Sequence, residues 1–128
     1  MRFKKEEYFS RQNKAIQSIK SSGLNALLMF APESQYWICG YDTFGFSMFQ
    51  CLILNAKGDL NLLTRSPDLR QALYTSTLSE PEIHIWNEIE GINPAEELLK
   101  LLNELEISGK IGFEGQSAGL TDFNGQLL

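Results

Sequence analysis

His84 is the single histidine of the chain. A lone imidazole can serve as a general base, a proton relay or one metal ligand. It stands in Glu82-Ile83-His84-Ile85-Trp86, alternating with two isoleucines. The plainer reading is a strand residue on the more polar face of a sheet. One histidine excludes a multi-histidine metal site within this chain. The carboxylates Glu6/Glu7, Glu88/Glu90 and Glu96/Glu97 read as solvated helix faces and turns, not as acid–base pairs. Cys39 and Cys51 are the only cysteines. One lies in an apolar turn and the other in an apolar strand pattern, where a thiol acts as a small hydrophobe. A disulfide is not expected in a reducing compartment. Gly40/Gly45 and Gly112/Gly115 lack the spacing of a phosphate loop or dinucleotide fingerprint. No serine occupies a nucleophile elbow. These residues therefore assign no catalytic group and no metal ligand to this chain.

The segment Pro32 to Leu54 is more distinctive. Aromatic residues gather there around Gly40 and Gly45. One reading is a compact turn from Tyr36 to Tyr41 with positive φ at Gly40. An exposed apolar lip of Tyr41, Phe44, Phe46 and Met48 would follow it and meet a second subunit. The other reading makes Phe44, Phe46 and Met48 one face of an extended strand entering the core.

These groups need a scaffold, and periodicity supplies one. Lys4–Ser22 reads as an amphipathic helix stopped by Gly23. Asn25–Phe30 is a short apolar strand buried on both faces, broken by Pro32-Glu33-Ser34. Phe49–Leu54 and Leu60–Thr64 form a hairpin about Asn55–Asp59. Pro67–Leu78 is a helix with proline in its first turn, Glu82–Trp86 a strand, Pro94–Leu105 a leucine-striped helix and Lys110–Glu114 a last strand. Thr121–Leu128 starts a further helix with Thr121 as cap, which suggests a piece of a longer protein. The expected fold is α/β, a mixed β-sheet flanked by helices, in a single domain covering 1–128. The net charge of −5 argues against nucleic acid as partner. No apolar run reaches the length of a membrane span, and no signal peptide opens the chain. The expected location is cytoplasmic.

Four pieces of sequence, in order, resemble the amino-terminal domain of the creatinase/prolidase family of metal-dependent hydrolases. Ser22-Gly23-Leu24-Asn25-Ala26-Leu27-Leu28, after a helix containing Arg11, is similar to the family's G-x-D-A-L-L strand. Gln35-Tyr36-Trp37-Ile38-Cys39-Gly40-Tyr41 is similar to its N-x-x-Y-L-T-G turn. Cys51–Leu54 with Lys57-Gly58-Asp59 looks like its next strand and turn, and Ile111-Gly112-Phe113-Glu114 like its I-G-(V/F)-E. Asn25 stands where the family usually has aspartate, and Trp37-Ile38-Cys39 departs from the usual leucine and threonine.

The resemblance implies a ribonuclease H-like topology. It implies a non-catalytic domain whose partners are its own C-terminal catalytic domain, absent from this chain, and a second copy in a homodimer. That domain would hold two divalent metal ions (Mn, Co or Zn) that activate water against a C–N bond. This chain itself would need no cofactor. Counted from Gly40, Phe46 falls where creatinase places an aromatic near the neighbouring subunit's substrate. Met48 falls where creatinase places an arginine that grips the substrate carboxylate. Methionine cannot do that, so the resemblance points to Xaa-Pro peptidases or ectoine hydrolase. Two rival expectations stand beside it: a stand-alone α/β module binding a small ligand or protein, and a family descendant without metals.

Overall fold

The computed structural model describes residues 5–42, 49–86 and 91–113. The chain runs α1 (Lys5–Ser21), β1 (Ala26–Met29), α2 (Pro32–Cys39), β2 (Cys51–Asn55), β3 (Leu60–Arg65), α3 (Leu69–Thr75), β4 (Ile83–Trp86), α4 (Pro94–Glu104) and β5 (Ile111–Phe113). The five strands form one sheet in the order β4-β3-β2-β1-β5. The central pairs β1/β2 and β2/β3 are antiparallel, whereas β5 beside β1 and β4 beside β3 are parallel. The mixed sheet expected from the sequence is present.

The sheet separates two apolar layers. Met29, Leu52, Leu54, Leu62 and Ile83 share one layer with Ile19 of α1, Ile38 of α2 and Ala72 of α3. Leu28, Cys51, Ile53, Leu63 and Trp86 face the other way, against Leu98, Leu101 and Leu102 of α4. Period-two alternation along the strands produces this split. Leu52, Ile53 and Leu54 are all fully buried, as suits the central strand of a sheet covered on both faces. Burying each such side chain contributes about 1.5–3 kcal/mol. Of the other strand residues expected in the core, Leu27 and Ile111 are only half-buried. Ile85, on an outer strand, is exposed.

Local chemistry explains most boundaries. At the β2–β3 turn the Asn55 side chain accepts hydrogen bonds from the amides of Lys57 and Asp59, while Gly58 takes φ +98°. Asn93 caps α4 by accepting from the Ala95 amide at 2.9 Å, and Pro94 follows in the first turn, where its missing N–H costs nothing.

Two elements differ from the sequence expectation. Pro32-Glu33-Ser34 does not merely break β1: it opens α2, with Pro32 at the first helical position. The Tyr36–Cys39 part of the expected aromatic turn is the end of that helix. The helix expected over Pro67–Leu78 is shorter. It begins as a 3-10 turn at Ser66–Asp68 and stops at Thr75, where Ser76 turns extended and its hydroxyl bonds back to the Ala72 carbonyl at 2.6 Å. The helix expected at Thr121–Leu128 lies outside the described residues.

Candidate functional site

The aromatic segment is built on the C-terminal end of α2. A helix leaves its last four carbonyls without intrahelical partners. Here the first is taken by the cap residue itself and the other three by other parts of the chain. The Tyr36 carbonyl accepts from the Gly40 amide at 2.8 Å. The Trp37 carbonyl accepts from Arg11 at 2.8 Å, and the Ile38 carbonyl from Gln12 Nε2 at 3.0 Å, both from α1. The Cys39 carbonyl accepts from the Thr77 amide at 2.8 Å. The Arg11 guanidinium also lies 5.1 Å from the Trp37 ring centre and 5.5 Å from that of Tyr8, within cation–π range. Glu7 pairs with it at 3.2 Å.

Gly40 then turns the chain with φ +82°, the left-handed value anticipated from the sequence. A Cβ at this position would stand 2.9 Å from the Thr75 carbonyl oxygen and 3.0 Å from the Tyr8 ring. Conformation and space therefore both select glycine.

Tyr41 follows, and its environment differs from an exposed lip. The side chain is fully buried. Its hydroxyl donates to Gln50 Oε1 at 2.5 Å and lies 3.3 Å from Thr64 Oγ1. The Thr64 hydroxyl donates to the same Gln50 oxygen at 3.1 Å. Phenol ring and polar tip are thus both satisfied inside the domain, which removes the reason for Tyr41 to face outward. Phe44, Phe46 and Met48 lie outside the described residues.

Other groups with chemical potential are occupied structurally. His84 Nε2 sits 2.9 Å from Asn61 Oδ1 on the neighbouring strand. Partial burial pulls its pKa below the ordinary value, with Glu104 opposing the shift. This is the strand setting expected from alternation. The Cys39 thiol is pushed up to about 12 by burial and donates to the Gln35 carbonyl at 3.3 Å. A thiol held protonated in this way is a poor nucleophile. Both cysteines are free and buried. Among the described residues no three His, Cys, Asp or Glu side chains lie together as a metal site, so no chemical step is assigned to a metal here. Also among the described residues, no helix is long and apolar enough to cross a membrane.

An open groove of about 450 Å³ beside α2 is lined by Ala15, Leu27, Met29, Glu33, Ser34, Trp37 and Ile38. Sequence reasoning missed Arg11, Gln12 and Thr77 as partners of α2, and Gln50 and Thr64 as partners of Tyr41. Gln50 did carry a signal, as a polar residue inside the apolar run FQCLIL.

A helix-flanked mixed sheet, with a glycine turn capped from α1 and from Thr77, defines an α/β domain. Residues 11–125 match the family model of the creatinase/prolidase N-terminal domain, and the chain belongs to that family. An ectoine hydrolase of Halomonas elongata is 31% identical over 81 residues, 63% of this chain and 20% of that relative. The N-terminal domain of the Xaa-Pro dipeptidase from Lactobacillus brevis superposes with TM-score 0.73 at 10% identity, covering 91% of this chain and 84% of that one. The N-terminal domain of the cytoplasmic peptidase PepQ from Mycobacterium tuberculosis H37Rv gives TM-score 0.66 at 22% identity, covering 92% and 81%. A dipeptidase from Pyrococcus horikoshii OT3 gives TM-score 0.63 at 21% identity, covering 81% of this chain and 33% of that one. The chain thus spans about a fifth of the curated relative and a third of this dipeptidase.

Proposed function

We propose that this chain is the non-catalytic amino-terminal domain of a cytoplasmic, metal-dependent hydrolase of the Xaa-Pro peptidase type. Its role is to help hold a homodimer and to shape the mouth of an active site built by a C-terminal catalytic domain. The observation that carries this reading is the family match across residues 11–125. It is supported by folds of similar size that are themselves N-terminal domains of an Xaa-Pro dipeptidase and a peptidase. The similarity to an ectoine hydrolase keeps a related small amide open as substrate. In this reading two divalent ions, Mn, Co or Zn, belong to the catalytic domain and supply the activated water. The residues described here supply no ligand set for them.

Phe44, Phe46 and Met48 are the side chains assigned to the mouth. There they would exclude water and select substrate shape without touching the metals. The rival reading, a stand-alone binding module, would use the apolar groove beside α2.

The test takes the natural gene product containing this chain and assays Xaa-Pro dipeptides and ectoine with added Mn²⁺, Co²⁺ or Zn²⁺. The expected result is metal-dependent turnover of one substrate class. Phe46→Ala and Met48→Ala should each lower kcat/KM with metal content and fold unchanged. The 128-residue chain alone should be inactive. Turnover by that chain, abolished by His84→Gln, would overturn the proposal. Unchanged kinetics in both segment variants would remove the mouth role.

A further inference from the structure

The face of the sheet under α1 and α2 is not fully closed. Met29 and Ile38 belong to the apolar layer there, while Ala15 and Leu27 pack against it only half-buried. Leu27 pairs in register with Gly112 of β5. A Cβ on Gly112 would lie 2.8 Å from Leu24 Cδ1 and 3.6 Å from Leu27 Cδ1, so that position stays without a side chain. The sheet therefore continues past Leu27 on this face with nothing from β5 to cover it. The groove of about 450 Å³ beside α2 is what remains open, and its size is that of a binding cleft.

Two side chains of α2 set its character. Glu33 and Trp37 stand four residues apart and so share one face of the helix. Trp37 is 48% exposed, a large apolar surface left to water. It is nevertheless held: Arg11 donates to its carbonyl at 2.8 Å, and the guanidinium lies 5.1 Å from its ring centre. Glu7 pairs with that guanidinium at 3.2 Å and offsets its charge. Among the described residues, Glu33 is the only charged one that lines the groove. Also among them, no ion pair or hydrogen bond engages its carboxylate.

The lining thus combines an apolar floor, a fixed aromatic wall and one negative charge. Apolar area alone would accept any hydrophobic segment. The carboxylate discriminates, because it attracts a cationic neighbour and repels an anionic one. The net charge of −5 sets a second copy of this chain at a disadvantage for the same reason. An open groove also covers one or two side chains better than it encloses a whole small molecule.

We propose that this groove is a docking site for a short segment of another polypeptide. That segment lays an aliphatic side chain over Leu27 and Met29, against Trp37, and sets a lysine or arginine beside Glu33. The inference goes beyond the proposed hydrolase role and does not depend on the mouth assignment.

The 128-residue chain is a suitable test object, since N-terminal domains of an Xaa-Pro dipeptidase and of a peptidase are folded units by themselves. Its two tryptophans, Trp37 and Trp86, give separate indole signals in ¹H–¹⁵N spectra. Trp86 is buried, with its indole bonded to the Phe49 carbonyl, and serves as the internal control. The probes are acetyl-leucyl-lysine amide, its norleucine isostere and its glutamate counterpart. The lysine probe should shift the Trp37 indole and the Met29 methyl saturably and leave Trp86 in place. Affinity should fall in the order lysine, norleucine, glutamate. The first step is up to about fivefold, the span of an exposed ion pair, and it shrinks as salt is added.

Glu33→Gln should bring the three probes together, and Glu33→Asp should keep their order. Ala15→Leu, which fills the groove from α1, should weaken all three with the dispersion of the spectrum unchanged. Equal affinity for the lysine and norleucine probes in the parent, or an order that survives Glu33→Gln, overturns the inference. So does movement of Trp37 and Met29 on raising the protein concentration without probe, which would assign the groove to a second copy. Loss of probe binding in the natural gene product containing this chain overturns it as well, by assigning the groove to another part of the same protein.

Discussion

Gly40→Ala separates conformational strain from crowding, because the chain contains its own control. Gly23 and Gly40 both sit at positive φ, +71° and +82°, and both end helices. A Cβ on Gly23 would meet nothing within 4 Å, whereas one on Gly40 would meet the Thr75 carbonyl oxygen at 2.9 Å and Tyr8 at 3.0 Å. Left-handed backbone costs a non-glycine residue about 1–2 kcal/mol. Alanine returns about 0.4–1 kcal/mol by restricting the unfolded chain. Gly23→Ala should therefore destabilise by roughly 0–1.5 kcal/mol. Gly40→Ala carries the same strain and adds an overpacking cost of about 1–3 kcal/mol. The Thr75 carbonyl belongs to the backbone that ends α3, and Tyr8 is fully buried, so neither can yield cheaply. Urea unfolding of the two variants and the parent measures the difference, provided the slopes agree. Equal losses for the two glycines would refute the crowding argument. A loss larger at Gly23 would refute the description of the turn itself.

Leu52→Ala, in the middle of the central strand, should cost about 2–5 kcal/mol in the same assay; unchanged stability would show that β2 does not cross the core. The folded chain holds the His84 pKa below its ordinary 6.5, so the unfolded chain takes up the proton more readily. Stability should fall as pH drops through and below 6.5 and level off above it. His84→Gln should flatten that part of the profile, and an identical slope in the variant would remove His84 as its cause.

Much of the scaffold was legible because its signals are local. The β2–β3 hairpin follows from two apolar runs about an asparagine and a glycine, and α4 from a leucine stripe behind Pro94. The helix α2 was not legible. It has eight residues and buries a glutamine together with Ile38 and Cys39, so it shows no clear apolar stripe, and its opening proline reads equally as a stop. Tyr41 was misjudged for a related reason. Beside a glycine turn, a large amphipathic residue suits a surface lip or a buried anchor equally well. The difference lies in whether polar partners wait for its hydroxyl. Extending the hairpin register by one pair would have placed Gln50 against Thr64. Nothing in the sequence says that Tyr41 reaches them, since that depends on how α2 packs against α1.

The two ends of the sheet solve the same problem by different means. At one end Asn25 joins three segments: its amide donates to the Lys110 carbonyl at 2.7 Å, its carbonyl accepts from the Ala56 amide at 2.8 Å, and its side-chain amide donates to the Ser108 carbonyl. The last bond requires a donor, which an aspartate carboxylate, the usual family residue by the resemblance above, lacks. Gly109, at φ +83°, has no Cβ to strike that side chain. Asn25 and Gly109 are therefore matched, and the departure from the family pattern is compensated within the same junction. One residue and its backbone make all of these bonds. The opposite end is held by side chains of α1, α3, β3 and β4 together with Gln50. The buried polar network of Tyr41, Gln50 and Thr64 specifies one packing at this end, since satisfied buried networks contribute uniqueness more than net stability.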